Sequence, residues 1–305
     1  MIMYIRIAVL SIFSILCVSC ANTSSTLADG SGQMGNLLLA EPAPMNQRSQ
    51  LAIARYSHIL GSTEIENEQR AQLLHQRGVL YDSVGLSGLA QYDFNQALRL
   101  KPDLAEAYNS MGVHYTQQMD FIQAYEAFDA SLDINPTMEF AFLNRGIALY
   151  YGGRPDLAVE DFGKFYSKDA TDPYRAIWSY LAASELDSAQ ALLELTALRK
   201  NLNEQNWATQ IVDLYLGKIT ENQLLSVLIG GVESQQQLTD RLCEAYFYLG
   251  KYHAARGNRG VASNYFKLAL STNVFEYVEH RYARLELSLL RENADSPETE
   301  STKIQ

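Results

Sequence analysis

The 305 residues are 47% hydrophobic and 19% charged, with a net charge of −11 at neutral pH. That apolar fraction suffices for an extended helical core, and the acidic balance argues against nucleic acid or anionic headgroups as partners. The three cysteines, Cys17, Cys20 and Cys243, are too few and too unevenly placed for a disulfide framework.

The chain opens with Arg6, an apolar run from Ile7 to Leu16, and the small-residue site Val18-Ser19-Cys20. The run is too short to span a bilayer, so residues 1–19 read as a signal peptide. A cysteine directly after small residues resembles the bacterial lipoprotein box, with Cys20 as the lipidated mature terminus. Cys20 fits better than Cys17, because Leu16 is bulky where a small side chain is needed. The box departs from the usual pattern in having Cys17 where leucine is common. An ordinary secretory signal cut near Cys20 without a lipid is the alternative. Ala21 and Asn22, rather than an aspartate, follow the cysteine, which by resemblance points to the outer membrane of a Gram-negative bacterium, with the folded domain in the periplasm. Each buried lipid methylene contributes about 0.8 kcal/mol, so two or three chains hold firmly. Cys243 then remains as the lone thiol, read as a structural residue opening a helical repeat.

Residues 20–46 read as the lipidated cysteine and a flexible tether rich in Ser, Thr, Gly, Asn and Pro. Gly30, Gly32 and Gly35 satisfy G-x-G-x-x-G, but neither strand nor helix flanks them, so the match reflects linker composition. Leu37-Leu38-Leu39 is an apolar island that docks either on the fold or on a second subunit. A first helix is predicted over 47–60, with Leu51, Ile53, Ala54, Ile59 and Leu60 as its apolar stripe. Thr63 and Glu66 form a candidate capping box for the next helix.

A period of 34 residues then takes over. In the unit 71–104 the eighth, eleventh, twentieth, twenty-fourth, twenty-seventh and thirty-second slots hold Gly78, Tyr81, Ala90, Phe94, Ala97 and Pro102. In 105–138 they hold Gly112, Tyr115, Ala124, Phe128, Ser131 and Pro136, and in 139–172 Gly146, Leu149, Ala158, Phe162 and Phe165, with the proline slipping to Pro173. This is the tetratricopeptide signature, in which small residues let helices A and B cross closely while aromatic ones fill between them. Gly85, Gly153 and Gly257 fall in the A–B turn, where a positive φ costs glycine little. Residues 174–199 and 204–229 read as two degenerate pairs, with Thr220 capping the last helix. The pattern returns over 243–276 with Gly250, Ala262, Phe266 and Ala269. A final helix is expected from Tyr277 to Leu290, capping the stack with Glu279 and Glu286 on its polar side, and residues 291–305 as a disordered tail. The predicted fold is an all-α solenoid over 47–290.

No catalytic motif appears, and no cofactor or metal is expected. The five histidines (His58, His75, His114, His253 and His280) lack partner spacing for a metal. His253 is expected to pack between helices, and His280 to be exposed or capping. The remaining candidate is a binding groove on the helix-A side, lined by slots two, five, nine, twelve and thirteen. Unit one offers Gln72, His75, Val79, Asp82 and Ser83. Unit two offers Glu106, Asn109, Val113, Thr116 and Gln117, and unit three Phe140, Leu143, Ile147, Tyr150 and Tyr151. Slots five and nine lack the Lys and Asn used to clamp a terminal carboxylate, so a side-chain-held extended or helical segment is the expected ligand. Some of these residues could instead pack against a neighbouring helix or another protomer.

Several stretches together resemble the NlpI family of bacterial outer-membrane lipoproteins. They include Arg77-Gly78-Val79-Leu80-Tyr81-Asp82-Ser83, Leu143-Asn144-Arg145-Gly146-Ile147-Ala148-Leu149-Tyr150-Tyr151, Phe247-Tyr248-Leu249-Gly250-Lys251-Tyr252 and Val278-Glu279-His280-Arg281-Tyr282-Ala283. The resemblance spans about Ala52 to Leu290, and the tether departs from it most. It implies a non-catalytic, homodimeric adaptor that binds a periplasmic tail-specific protease, presents peptidoglycan endopeptidases to it, and scaffolds cell-wall hydrolases. A second expectation, sharing anchor and fold, is assembly of an outer-membrane machine such as a barrel-insertion complex or pilus secretin.

Overall fold

The computed structural model describes residues 38–39, 41–44, 46–61 and 64–295. The signal peptide, Cys20, Leu37, Thr63 and residues 296–305 lie outside the described residues. Within them the regular structure is helical, and no helix is long and apolar enough to cross a membrane.

Helix α1 covers Gln47–Leu60, started by Asn46, whose side chain accepts from the Arg48 amide. Its expected apolar stripe is only partly inside: Leu51 is 72% exposed, while Ser49 is buried. Helix α2 (Asn67–Ser83) begins after Glu66, which makes no side-chain cap. It pairs with α3 (Ser87–Leu100). The next hairpins are α4 (Ala105–Gln117) with α5 (Phe121–Ile134), and α6 (Glu139–Tyr151) with α7 (Pro155–Tyr166).

The slots explain this pairing. Phe94, Phe128 and Phe162 are buried, and each ring lies so close to the opposing glycine that a Cβ on Gly78, Gly112 or Gly146 would fall 2.5–2.7 Å from it. Only glycine permits that crossing. Ala90, Ala124 and Ala158 are fully buried. Ser131, at an alanine slot, satisfies its hydroxyl by donating to the Ala105 carbonyl at 2.8 Å. The A–B turns use positive φ at Gly85, Gly153 and Gly257, and unit two does so with Met119 at 60°. A side chain there is strained.

Helices α8 (Pro173–Leu186) and α9 (Ser188–Leu198) follow, then the short pair α10 (Thr209–Tyr215) and α11 (Glu221–Val227). Thr220 caps α11 reciprocally with Gln223. The last hairpin joins α12 (Gln235–Ala254) to α13 (Arg259–Ser271), with Gly250 against Phe266 repeating the interlock. Cys243 does not open this helix. Ser234 caps α12 nine residues earlier, and the buried thiol sits mid-helix, its pKa pushed up by burial.

Helix α14 (Val278–Asp295) corrects three expectations. It continues past Leu290, so residues 291–295 belong to the helix rather than the tail. It packs on the last hairpin, α12 and α13, as a capping helix would, and also reaches α4; what changes is the setting of its polar residues. Glu279 and Glu286, expected on a polar face, are both buried, as is His280, whose Nε2 lies 3.1 Å from the Leu270 carbonyl. Buried carboxylates need partners, and α12 and α6 supply them.

Candidate interaction surface

The slots expected to line the groove divide into two sets. At slots twelve and thirteen of the strict units, Asp82, Thr116, Tyr150 and Tyr151 meet α14 or α12, whereas Ser83 lines a cleft beside Val84. Asp82 accepts from Arg281 at 2.8 Å and lies 3.5 Å from His114 Nε2. Thr116 is buried, its hydroxyl donating to the Gly112 carbonyl, and it faces the buried Tyr282 hydroxyl, which has no well-formed partner. Tyr151 donates to Glu286 at 2.7 Å, and Tyr150 accepts from Lys251 at 2.7 Å. Gln117 is half-buried, and Val113, Leu143 and Ile147 are buried in the same layer.

Lys251 organises this layer. It stands at slot nine of the 243–276 unit, among Phe247, Tyr248, Leu249 and Gly250, and its ammonium is buried. It donates to Glu286 at 2.6 Å and lies 4.4 Å from the Tyr150 ring and 5.2 Å from that of Tyr151. Burial alone would lower its pKa, but Glu286 and Tyr150 outweigh that and raise it. The pair is therefore a charged bolt joining α6, α12 and α14. It was legible only as a lone lysine at a groove slot and a glutamate seven residues beyond another.

The other set stays open. Gln72 and Glu106 are exposed, Val79 is 45% and Phe140 60% exposed, and His75 and Asn109 are half-buried. Lateral contacts knit them across units: His75 Nε2 lies 3.3 Å from the Ser110 hydroxyl, and Asn144 donates to Asn109 at 3.1 Å. The His75 pKa is lowered, chiefly by burial against the opposing pull of Glu106, so the ring favours its neutral form. This strip combines hydrogen-bonding side chains, among them the Glu106 carboxylate, with two uncovered apolar side chains.

A second pattern escaped the slot analysis. Arg77 grips Asp93 with two bonds of 2.7 and 2.8 Å, and Arg145 grips Asp161 identically one unit pair later. These are slots seven and twenty-three, and in unit two both change together, to Met111 and Ala127. Paired replacement at a fixed separation of 16 was the available signal.

Among the described residues no group of three or more His, Cys, Asp or Glu is placed to hold a metal. No known protein-family model matches the chain. Among solved structures it is similar to a tetratricopeptide repeat protein from Parabacteroides merdae ATCC 43184, at 20% identity and a TM-score of 0.47, over 80% of this chain and 78% of that one. The glycine–aromatic interlock and the paired helices define the present chain as an all-α solenoid of tetratricopeptide-type hairpins.

Proposed function

We propose that this chain is a homodimeric adaptor, anchored in the outer membrane through Cys20, that brings peptidoglycan endopeptidases to a periplasmic tail-specific protease. The observation that supports an adaptor is the uncovered strip of Gln72, His75, Val79, Glu106, Asn109 and Phe140 on a stack of tetratricopeptide-type hairpins. Its mixture of apolar, amide and acidic groups suits a helical or extended segment held by side chains. The identity of the partners rests on the resemblance of the Arg77–Ser83, Leu143–Tyr151 and Val278–Ala283 stretches to NlpI-type lipoproteins, and the anchor rests on Val18-Ser19-Cys20. Tyr150 and Tyr151 act as packing residues in this reading, since Glu286 and Lys251 already engage their hydroxyls.

The test is capture of a purified endopeptidase by the Val79→Asp/Phe140→Ala variant, with timed degradation by the protease as a second readout. Both side chains are exposed, so helical content should hold while capture falls about tenfold, the size expected for losing an anchor residue. Undiminished capture and turnover would remove the strip from the site. Co-purification with a barrel or secretin, without protease or endopeptidase, would favour the assembly role instead.

A further inference from the structure

A cleft of about 800 Å³ opens where the start of the described chain meets its last hairpin. Leading into it, residues 38–39 and 41–44 run as a strap across α12 and α13. The Leu38 carbonyl accepts from the Tyr246 hydroxyl, the Glu41 carbonyl from Thr239 at 3.1 Å, and the Ala43 amide donates to the Thr272 carbonyl at 2.7 Å. Thr239 and Tyr246 are seven residues apart on one helix, about 10.5 Å, and the later strap residue, Glu41, meets the earlier helix residue, Thr239. The strap therefore runs antiparallel to α12. Only its backbone is gripped: Leu39 is 78% exposed. This face already holds extended peptide without reading its side chains.

Ala43 and Pro44 of the strap line the cleft, together with Asn46 and Gln47 at the start of α1. Its far wall is rigid. The Phe275 ring packs over Gly85, where a Cβ would come within 2.8 Å, and meets His280 edge-on at 4.8 Å. The Phe275 carbonyl accepts from Arg281 at 3.1 Å. Val84 and Val274 also line the cleft, as do the amide side chains of Gln47, Gln236 and Asn273. Apolar and amide surfaces side by side match the alternation of side chain and peptide group in an extended segment.

Charge then selects among peptides. Asp240 and Glu276 line the cleft, and no Lys, Arg or His does so among the described residues. The nearby starts of α1 and α12 are satisfied by their own caps, Asn46 and Ser234. Asp240 is half-buried, with only Gln236 and Tyr277 as hydrogen-bond donors. Burial raises its pKa, the mark of a carboxyl without a compensating cation. We propose that this cleft receives an extended peptide segment of a partner protein whose arginine or lysine pairs with Asp240.

The probes are the pentapeptides acetyl-Ala-Val-Arg-Val-Ala-amide and acetyl-Ala-Val-Glu-Val-Ala-amide, titrated into the isotopically labelled full chain and followed by amide NMR shifts. The arginine peptide should shift Asp240 and residues 273–277, and bind at least about fivefold more tightly than the glutamate peptide. Asp240→Asn should abolish that preference, while Asp240→Glu should retain it. Equal binding of both peptides, shifts confined to Val79 and Phe140, or no shift at millimolar concentration would overturn the proposal. The strip proposed for the endopeptidase lies elsewhere, so its variants should leave this titration unchanged.

Discussion

The strict units over 71–172 and the closing region formed by α12 and α14 are stabilised by opposite means. In the strict units, stability is local and mainly apolar: a glycine meets a phenylalanine sixteen residues on, alanine fills the remaining gap, and the ion pairs Arg77–Asp93 and Arg145–Asp161 also join residues sixteen apart. In the closing region, α12 and α14 bury Lys251, Glu279 and Glu286 among tyrosines, with the largely buried Glu244 carboxyl nearby, and partners come from far along the chain. Tyr248 donates to Glu279 at 2.9 Å, Trp207 to Glu244 at 2.8 Å, and Tyr151 to Glu286 across 135 residues. The contrast separates an interlock, whose cost on mutation is steric, from a polar network, whose cost is an unpaired buried charge.

The sharpest way to break the comparison is to remove one half of the bolt. Lys251→Met should cost about 3–5 kcal/mol, because Glu286 is left charged and buried. Urea unfolding measures this, and the double variant Lys251→Met/Glu286→Leu should recover much of the loss. If the single variant is as stable as the parent, the network is not what holds α14.

Titration should separate the regions next. Burial pushes the Glu244 carboxyl up to about 8 from its usual 4.5, and Glu279 rises for the same reason. The folded state therefore holds protons that the unfolded state has released. That contribution is fully present below the unfolded value and is lost as pH rises through about 8. Melting temperature should fall between pH 5 and 8, and Glu244→Gln should flatten the fall.

The interlock should respond to a single methyl group. Gly112→Ala drives a Cβ to 2.6 Å from Phe128, and overpacking of this kind costs about 1–3 kcal/mol. Gly88→Ala, with open space around its Cβ, is the control and should be neutral or slightly stabilising. The smallest expected effect is a gain. Met119→Gly relieves a positive φ of 60° in the unit-two turn, and thermal unfolding should show a stabilisation of about 0.5–1 kcal/mol.

What was legible before any coordinates follows this same division. The interlock could be read because its two partners recur at a fixed separation, so Gly78–Phe94, Gly112–Phe128, Gly146–Phe162 and Gly250–Phe266 all announce one geometry. The salt-bridged slots Arg77–Asp93 and Arg145–Asp161 were equally periodic but lacked a counterpart in unit two. The open strip of Gln72, Val79, Glu106 and Phe140 was read as helix-A surface and is exposed, yet the same groove reading also took in Val113, Thr116, Ile147 and Tyr151, which are covered or half-covered.

The sequence by itself determined the hairpins, since glycine, alanine and phenylalanine at repeating intervals leave two helices one compact way to cross. Tertiary structure alone decided where α14 lies and which half of the helix-A face stays free. A charged residue satisfies its electrostatics with whatever opposite charge is nearest in space, and Lys251 finds Glu286 through a fold that no local pattern encodes.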